Sequence, residues 1–286
     1  MPRHTATPFL RRKSTAVAAA TGLVATVAAG VWLSNAFATP SGSAAEKPVR
    51  LPGANMSVDY QLGGAYPPAP GVRAVSRDRS AKPVPGLYNI CYVNAFQAQP
   101  DALGWWQKNH PDLILKNKNK RPVIDENWDE ALLDTSTADK RGRLAAIVGG
   151  WIEGCAKSGF QAVEPDNLDS YQRSGGRLTQ AGNAAYATLL ARTAHASGLA
   201  IGQKNTAEML PDRKKTGFDF AVAEECAEYN ECGAYAKAYA DRVFVIEYDT
   251  RNFKNACTRW GSSLSIVQRD LDVTPRGSDG YTYRSC

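Results

Sequence analysis

The sequence predicts a single α/β domain, a (β/α)8 TIM barrel with a loop insertion over its C-terminal face, stapled by disulfides. Three observations carry this. Strand-like and helical segments alternate along the chain, the pattern of a parallel sheet covered by helices. There are eight strand-like segments, which suits a closed barrel, and no G-x-G-x-x-G follows a strand as a dinucleotide fold would require. Three of the apolar runs end in acids, at Glu164-Pro165-Asp166, Glu224-Glu225 and Glu247-Tyr248-Asp249. Buried parallel strands end in this way when they deliver carboxylates to the mouth of a barrel.

The chain begins with a segment that does not belong to the fold. Arg3, Arg11, Arg12 and Lys13 precede an Ala/Val-rich stretch, and Ala36-Phe37-Ala38 offers small residues for cleavage. Residues 1–38 therefore read as a secretory signal peptide, 39–55 as a Ser/Ala/Pro/Gly-rich linker, and 56–286 as the barrel domain. The expected location is extracellular, with membrane tethering only if the leader is retained. Removing the leader's four basic residues from the total of 34 leaves 30 against 28 acids. That near balance takes away the electrostatic case for nucleic-acid binding.

Strands are expected at 58–62, 72–76, 88–94, 161–165, 199–204, 220–223, 243–247 and 264–269. The first two are the weakest, because Pro67-Pro68-Ala69-Pro70 leaves little room for a helix between them. Helices are expected at 137–157, 179–198, 228–240 and 253–260, with Thr179 as an N-cap and Gly198 as a stop. Residues 95–135, which carry Trp105, Trp106 and Trp128, are too long for an ordinary connection and should form a small subdomain over the mouth.

All six cysteines follow the leader, so three disulfides are expected in an exported chain. Cys226 and Cys232 are close enough for a local staple, Cys257 with Cys286 would tie down the C-terminus, and Cys91 is left with Cys155. If Tyr92 and Asn94 point inward, Cys91 points outward, towards the face of a helix carrying Leu144, Val148, Trp151 and Cys155.

Two histidines follow the leader. His110 lies in a polar loop, and His195 falls opposite the buried face of its helix. A Ser-His-Asp or Cys-His mechanism is thus excluded, and no metal or cofactor is expected. Carboxylates must carry any chemistry. Paired acids on different strands are what glycoside hydrolysis uses, one protonating the leaving oxygen and its partner attacking the sugar or activating water. Asp166 and Glu224 end separate strands, and Glu164 shares the parity of Asp166. Asn167, Asp169 and Glu247 would extend an acidic cleft, with Lys204 and Asn205 hydrogen-bonding a sugar or holding a carboxylate ionised. Tyr92 and Tyr248, beside the acids, suit stacking on sugar rings.

The ordered series Ile90-Cys91-Tyr92, Gly159-Phe160 to Glu164-Pro165-Asp166-Asn167 and Asp169, Gly202-Gln203-Lys204-Asn205, Phe218-Asp219-Phe220 to Glu224, Cys226, Tyr229 and Cys232, and Val245-Ile246-Glu247-Tyr248 resembles glycoside hydrolase family 114. These are endo-α-1,4-polygalactosaminidases. The resemblance implies a (β/α)8 barrel, an α-1,4-linked galactosamine polymer as partner, Asp166 as nucleophile or base and Glu224 as proton donor. A monomer is expected. The competing expectation is a catalytically silent barrel that binds a cationic cell-wall or matrix glycan.

Overall fold

The computed structural model describes residues 48–286, so the leader and most of the linker expected from the sequence lie outside the described residues. Eight parallel strands follow one another around a barrel in chain order: Val58–Gln61, Ala74–Asp78, Tyr88–Asn94, Ala162–Asp166, Ala200–Lys204, Phe220–Glu224, Val243–Glu247 and Ser265–Arg269. A ninth, Tyr283–Ser285, adds antiparallel to the eighth. All eight segments read from the sequence are strands. The fourth runs on to Asp166 through Pro165, whose missing N–H leaves the register with the third strand intact.

The first and eighth strands meet without a shared backbone ladder, and other bonds hold the seam. Met56 N donates to Ser265 Oγ at 2.8 Å, and Tyr283 OH to the Val58 carbonyl at 3.2 Å. At the mouth, a Cβ on Gly63 would lie 2.6 Å from the Val273 carbonyl oxygen, so only glycine lets the two edges approach this closely.

Helices cover the outside: Ala138–Ser158, Gln180–Ala196, Arg213–Thr216, Cys232–Tyr239 and Thr250–Trp260. Thr137 and Thr179 cap the two longest, each hydroxyl accepting from the backbone N–H three residues on. Loops, with no helix, join the first strand to the second and the second to the third. Residues 95–135 form the expected subdomain, a helix at Pro100–Asn109 with a three-stranded antiparallel sheet of Gln97–Ala98, Ile124–Asp125 and Glu130–Leu132. No helix among the described residues is long and apolar enough to cross a membrane.

Strand alternation sorts the side chains into two cores. Tyr60, Ile90, Ala162, Phe220, Val222, Phe244 and Ile246 fill the barrel, while Val93, Val163, Ile201, Ala221, Val245 and Ile266 pack under the helices. The cysteines pair as Cys91–Cys155, Cys226–Cys232 and Cys257–Cys286. Cys91 faces outward to the helix bearing Cys155, as its parity requires.

Candidate active site

Lys204 organises the mouth of the barrel. It ends the fifth strand on the inward parity and is 3% exposed. One layer below it, Gly202 leaves room for the Phe220 ring, which a Cβ would approach to 2.8 Å. The ammonium nitrogen sits 3.1 Å from Asp166 Oδ1, 3.3 Å from Glu224 Oε2 and 3.4 Å from Glu164 Oε1. It also donates to Tyr60 OH at 3.2 Å. Burial alone would lower the Lys204 pKa, but Asp166, Glu224, Tyr60 and Glu164 outweigh it and raise it well above the usual value. The amine is therefore a permanent cation shared by three carboxylates.

The three carboxylates stand at different depths. Glu164 is sealed inside the barrel, accepting from Tyr60 OH at 2.6 Å and Ser76 Oγ at 2.8 Å. Burial raises its pKa to about 7, against the opposing pull of Lys204 and Tyr60. Asp166, one layer higher, opens to the cleft. Burial pushes its carboxyl up, yet Lys204, the Tyr92 hydroxyl at 2.8 Å and the Asn167 N–H at 2.8 Å together hold it below the usual range. Glu224 opens beside it. Its backbone N–H donates to Asn205 Oδ1 at 2.8 Å while its Oε2 accepts from Asn205 Nδ2 at 2.9 Å, and Oε1 accepts from Tyr248 OH at 2.5 Å.

A local backbone feature recurs at these strand ends. Asn167, Asn205 and Glu225, each directly following one of the three charged residues, adopt left-handed conformations, with φ of 68°, 45° and 56°. Asparagine tolerates this region and glutamate does so at a cost, so the chain turns sharply where the site is built.

The cleft holds about 380 Å³ above this cluster. Asp166, Glu224, Lys204, Asn167, Asp169, Asn205, Tyr92 and Tyr248 all line it. The structure assigns some of them other tasks than the sequence suggested. Asp169 forms a two-pronged ion pair with Arg173, at 2.7 and 2.9 Å. Tyr92 and Tyr248 aim their hydroxyls at the two acids, so they work as hydrogen-bond donors. Two expected sugar ligands do not reach the cleft. Glu164 lies beneath Lys204, where it anchors the amine. Glu247 has the outward parity of Val243 and Val245; it is fully buried, and its Oε1 accepts from Ala227 N at 2.9 Å.

Sequence reading missed Glu130 and Arg173 and gave Tyr60, at the end of the first strand, no role. Tyr60 is inward on the first strand, and the inward parity of that strand was the signal available. Glu130 and Arg173 lie in loop-borne elements with no apolar run to announce them. His195 Nε2 is 2.8 Å from Asp219 Oδ2 on the outer surface, and His110 packs beside Trp105. Among the described residues, the cluster Cys226, Cys232 and Glu247 has metal-ligand chemistry, but both sulfurs are committed to a disulfide.

Two open carboxylates on one ammonium, at the C-terminal end of a barrel, are the equipment of a glycoside hydrolase. A model of glycoside-hydrolase family GH114 matches residues 38–286. The chain belongs to this family. It is an O-glycosyl hydrolase, and the GH114 barrel recurs in solved structures. Ega3 of Aspergillus fumigatus, solved with galactosamine, is 23% identical at a TM-score of 0.67, covering 84% of this chain and 98% of that one. The glycoside hydrolase domain of PelA from Pseudomonas aeruginosa is 17% identical at a TM-score of 0.56, covering 78% and 97%. At these identities the likeness speaks for the GH114 fold. No curated protein matches the sequence.

Proposed function

We propose that this GH114 chain is a secreted hydrolase that cuts within α-1,4-linked galactosamine polymers, with Asp166 as nucleophile and Glu224 as acid and then base. The observation that carries the reading is the Lys204 bridge. Because Asp166 Oδ1 and Glu224 Oε2 lie 3.1 and 3.3 Å from one nitrogen, they are at most 6.4 Å apart, the sum of the two. Carboxyl groups that act as nucleophile and acid stand roughly 5–5.5 Å apart, whereas those that must admit a water between them stand at roughly 6.5–9.5 Å. The spacing supports double displacement.

In the first step the ionised Asp166 attacks the anomeric carbon, and Glu224 gives its proton to the leaving glycosidic oxygen. In the second, Glu224 takes a proton from water, the water oxygen attacks the same carbon, and Asp166 departs as carboxylate. Lys204 suits the first step because it keeps Asp166 charged; it and the Asn167 N–H both hold Oδ1, while Oδ2 accepts from Tyr92 OH and keeps a second lone pair for attack. A galactosamine substrate is supported by the family, by the sugar bound in Ega3, and by a cleft dense in carboxylates, which attracts a cationic glycan. Secretion is supported by the leader and by three disulfides, which persist in oxidising surroundings.

Mass spectrometry of α-1,4-galactosamine oligomers, free and N-acetylated, tests this directly. Wild-type protein should yield shortened oligomers with internal cleavage, and Asp166→Asn and Glu224→Gln should leave them intact. Intact oligomers with folded wild-type protein would favour a barrel that binds glycan without cutting it.

A further inference from the structure

Seven carboxylates line the cleft: Asp78, Asp125, Glu130, Asp166, Asp169, Glu224 and Asp272. Lys204 pairs with Asp166 and Glu224, and Arg173 with Asp125 at 2.8 Å and with Asp169 at 2.7 Å. Asp78 is occupied by its own turn, accepting from Ser80 N and Oγ, and Asp272 is exposed. Glu130 differs from all of these. It is only 9% exposed, yet among the described residues no cation pairs with it. Its Oε2 accepts from Asn94 Nδ2 at 2.8 Å and from Asn167 Nδ2 at 3.3 Å. Among the described residues no donor reaches its Oε1, which is not sealed off and lies at the wall of the cleft.

The position of this oxygen is set by the nucleophile's neighbours. Asn94 is the register partner of Asp166 on the adjacent strand, and Asn167 follows Asp166 directly. Asn94 Oδ1 accepts from Asn167 Nδ2 at 3.0 Å, which locks the two amides together under Glu130. A buried carboxylate with one open oxygen is costly unless a donor completes it. In a sugar, the anomeric carbon is flanked by the ring oxygen and by the carbon that carries the 2-substituent, and of these two sides only the 2-substituent of an amino sugar offers a charged donor to a carboxylate beside the nucleophile.

We propose that Glu130 is the binding site for the 2-ammonium group of the sugar held at Asp166, and so selects a free amine over a hydroxyl or an acetamide. This rests on the amino-sugar reading above and names the residue that would enforce it. Arg173 cannot cancel Glu130, because its guanidinium is already held by Asp125, Asp169 and, at 3.1 Å, Asn167 Oδ1. An ammonium ion supplies both the missing donor and the missing charge. An acetamide supplies an N–H without charge.

Titration gives a second readout. Burial raises the Glu130 pKa to about 7; Asp166 and Asp125 push the same way, and the Asn94 amide and Arg173 oppose. Below that pH the free protein holds a proton on Glu130, and an arriving ammonium displaces it.

The test is calorimetric titration of the full chain with galactosamine, N-acetylgalactosamine and galactose, at pH 6 in buffers of different ionisation heat. Wild type should bind galactosamine about ten- to a hundredfold more tightly than galactose, with proton release. Glu130→Gln, which keeps the side-chain volume, should bind the two sugars alike and release no proton on binding galactosamine. With oligomers, Glu130→Gln should raise KM for the free-amine substrate more than for the N-acetylated one. Glu130→Asp, with the charge withdrawn, should fall between, and its Tm reports whether the fold holds. A wild type that does not prefer galactosamine over galactose, or a Glu130→Gln that keeps the preference, overturns the assignment. Wild type that prefers galactosamine yet cleaves no oligomer would instead sink the hydrolase reading and leave the site standing.

Discussion

At the scale of single residues, the site depends on how one buried cation is shared. Asp166→Asn removes the charge of the proposed nucleophile while keeping the bond from Tyr92, so turnover should fall by about a thousandfold or more with substrate binding largely kept. Steady-state kinetics beside calorimetric binding separates the two. Lys204→Met leaves Glu164 buried without its counter-charge, and the loss of half a buried pair costs about 3–5 kcal/mol. Denaturant melts should show that loss. In the same variant the acidic limb of kcat should move to higher pH, because Lys204 is what holds Asp166 below the usual carboxylate range. The inward acids were legible because each ends an apolar run of known parity. Glu247 was not, since Val243–Glu247 is buried on both faces, and a strand without polar alternation does not announce which side faces the barrel. The inward partner on that strand is Tyr248, one residue on.

At the scale of elements, small residues and staples decide what the barrel can hold. Gly202→Ala would drive a methyl group into the Phe220 ring directly below Lys204. It should cost about 1–3 kcal/mol by the usual penalty for overpacking, read as a lower midpoint in urea, and should lower kcat by displacing the ammonium. The disulfides should rank by the loop that each closes. Cys91–Cys155 spans 64 positions and Cys226–Cys232 spans 6, so losing the first should cost about 4 kcal/mol and losing the second about 2 kcal/mol. Paired Cys→Ala variants measured in urea check that order. The Thr179 cap was legible, and the helix read as starting at Thr137 has that residue as its cap. The helix expected from residue 228 begins only at Cys232, because the staple to Cys226 and left-handed turns at Glu225 and Asn230 consume the residues before it. Local propensity does not register such a constraint.

At the scale of the whole molecule, the buried acids set how stability follows pH. Glu130, Glu164 and Glu247 each have a pKa raised to about 7, mainly by burial. Between the unfolded value of about 4.3 and 7 the folded state holds protons that the unfolded chain has lost, so stability declines as pH rises through that range. Asp166 acts in the opposite sense: its pKa is depressed, and its contribution is lost as pH falls below the ordinary carboxylate value. Tm should therefore peak near about pH 4, between the two windows, and fall on either side, which a calorimetric series would reveal. The barrel order was readable from eight apolar runs and their acids. The closing seam was not, because it is made by scattered side chains such as Ser265 and Tyr283 that carry no periodic signal. The central claim is that Asp166 and Glu224, joined through Lys204, cleave by double displacement. Timed proton NMR of the first sugar released from an α-1,4-galactosamine oligomer tests it most directly. The α anomer appearing before mutarotation is the predicted result; the β anomer appearing first would contradict it.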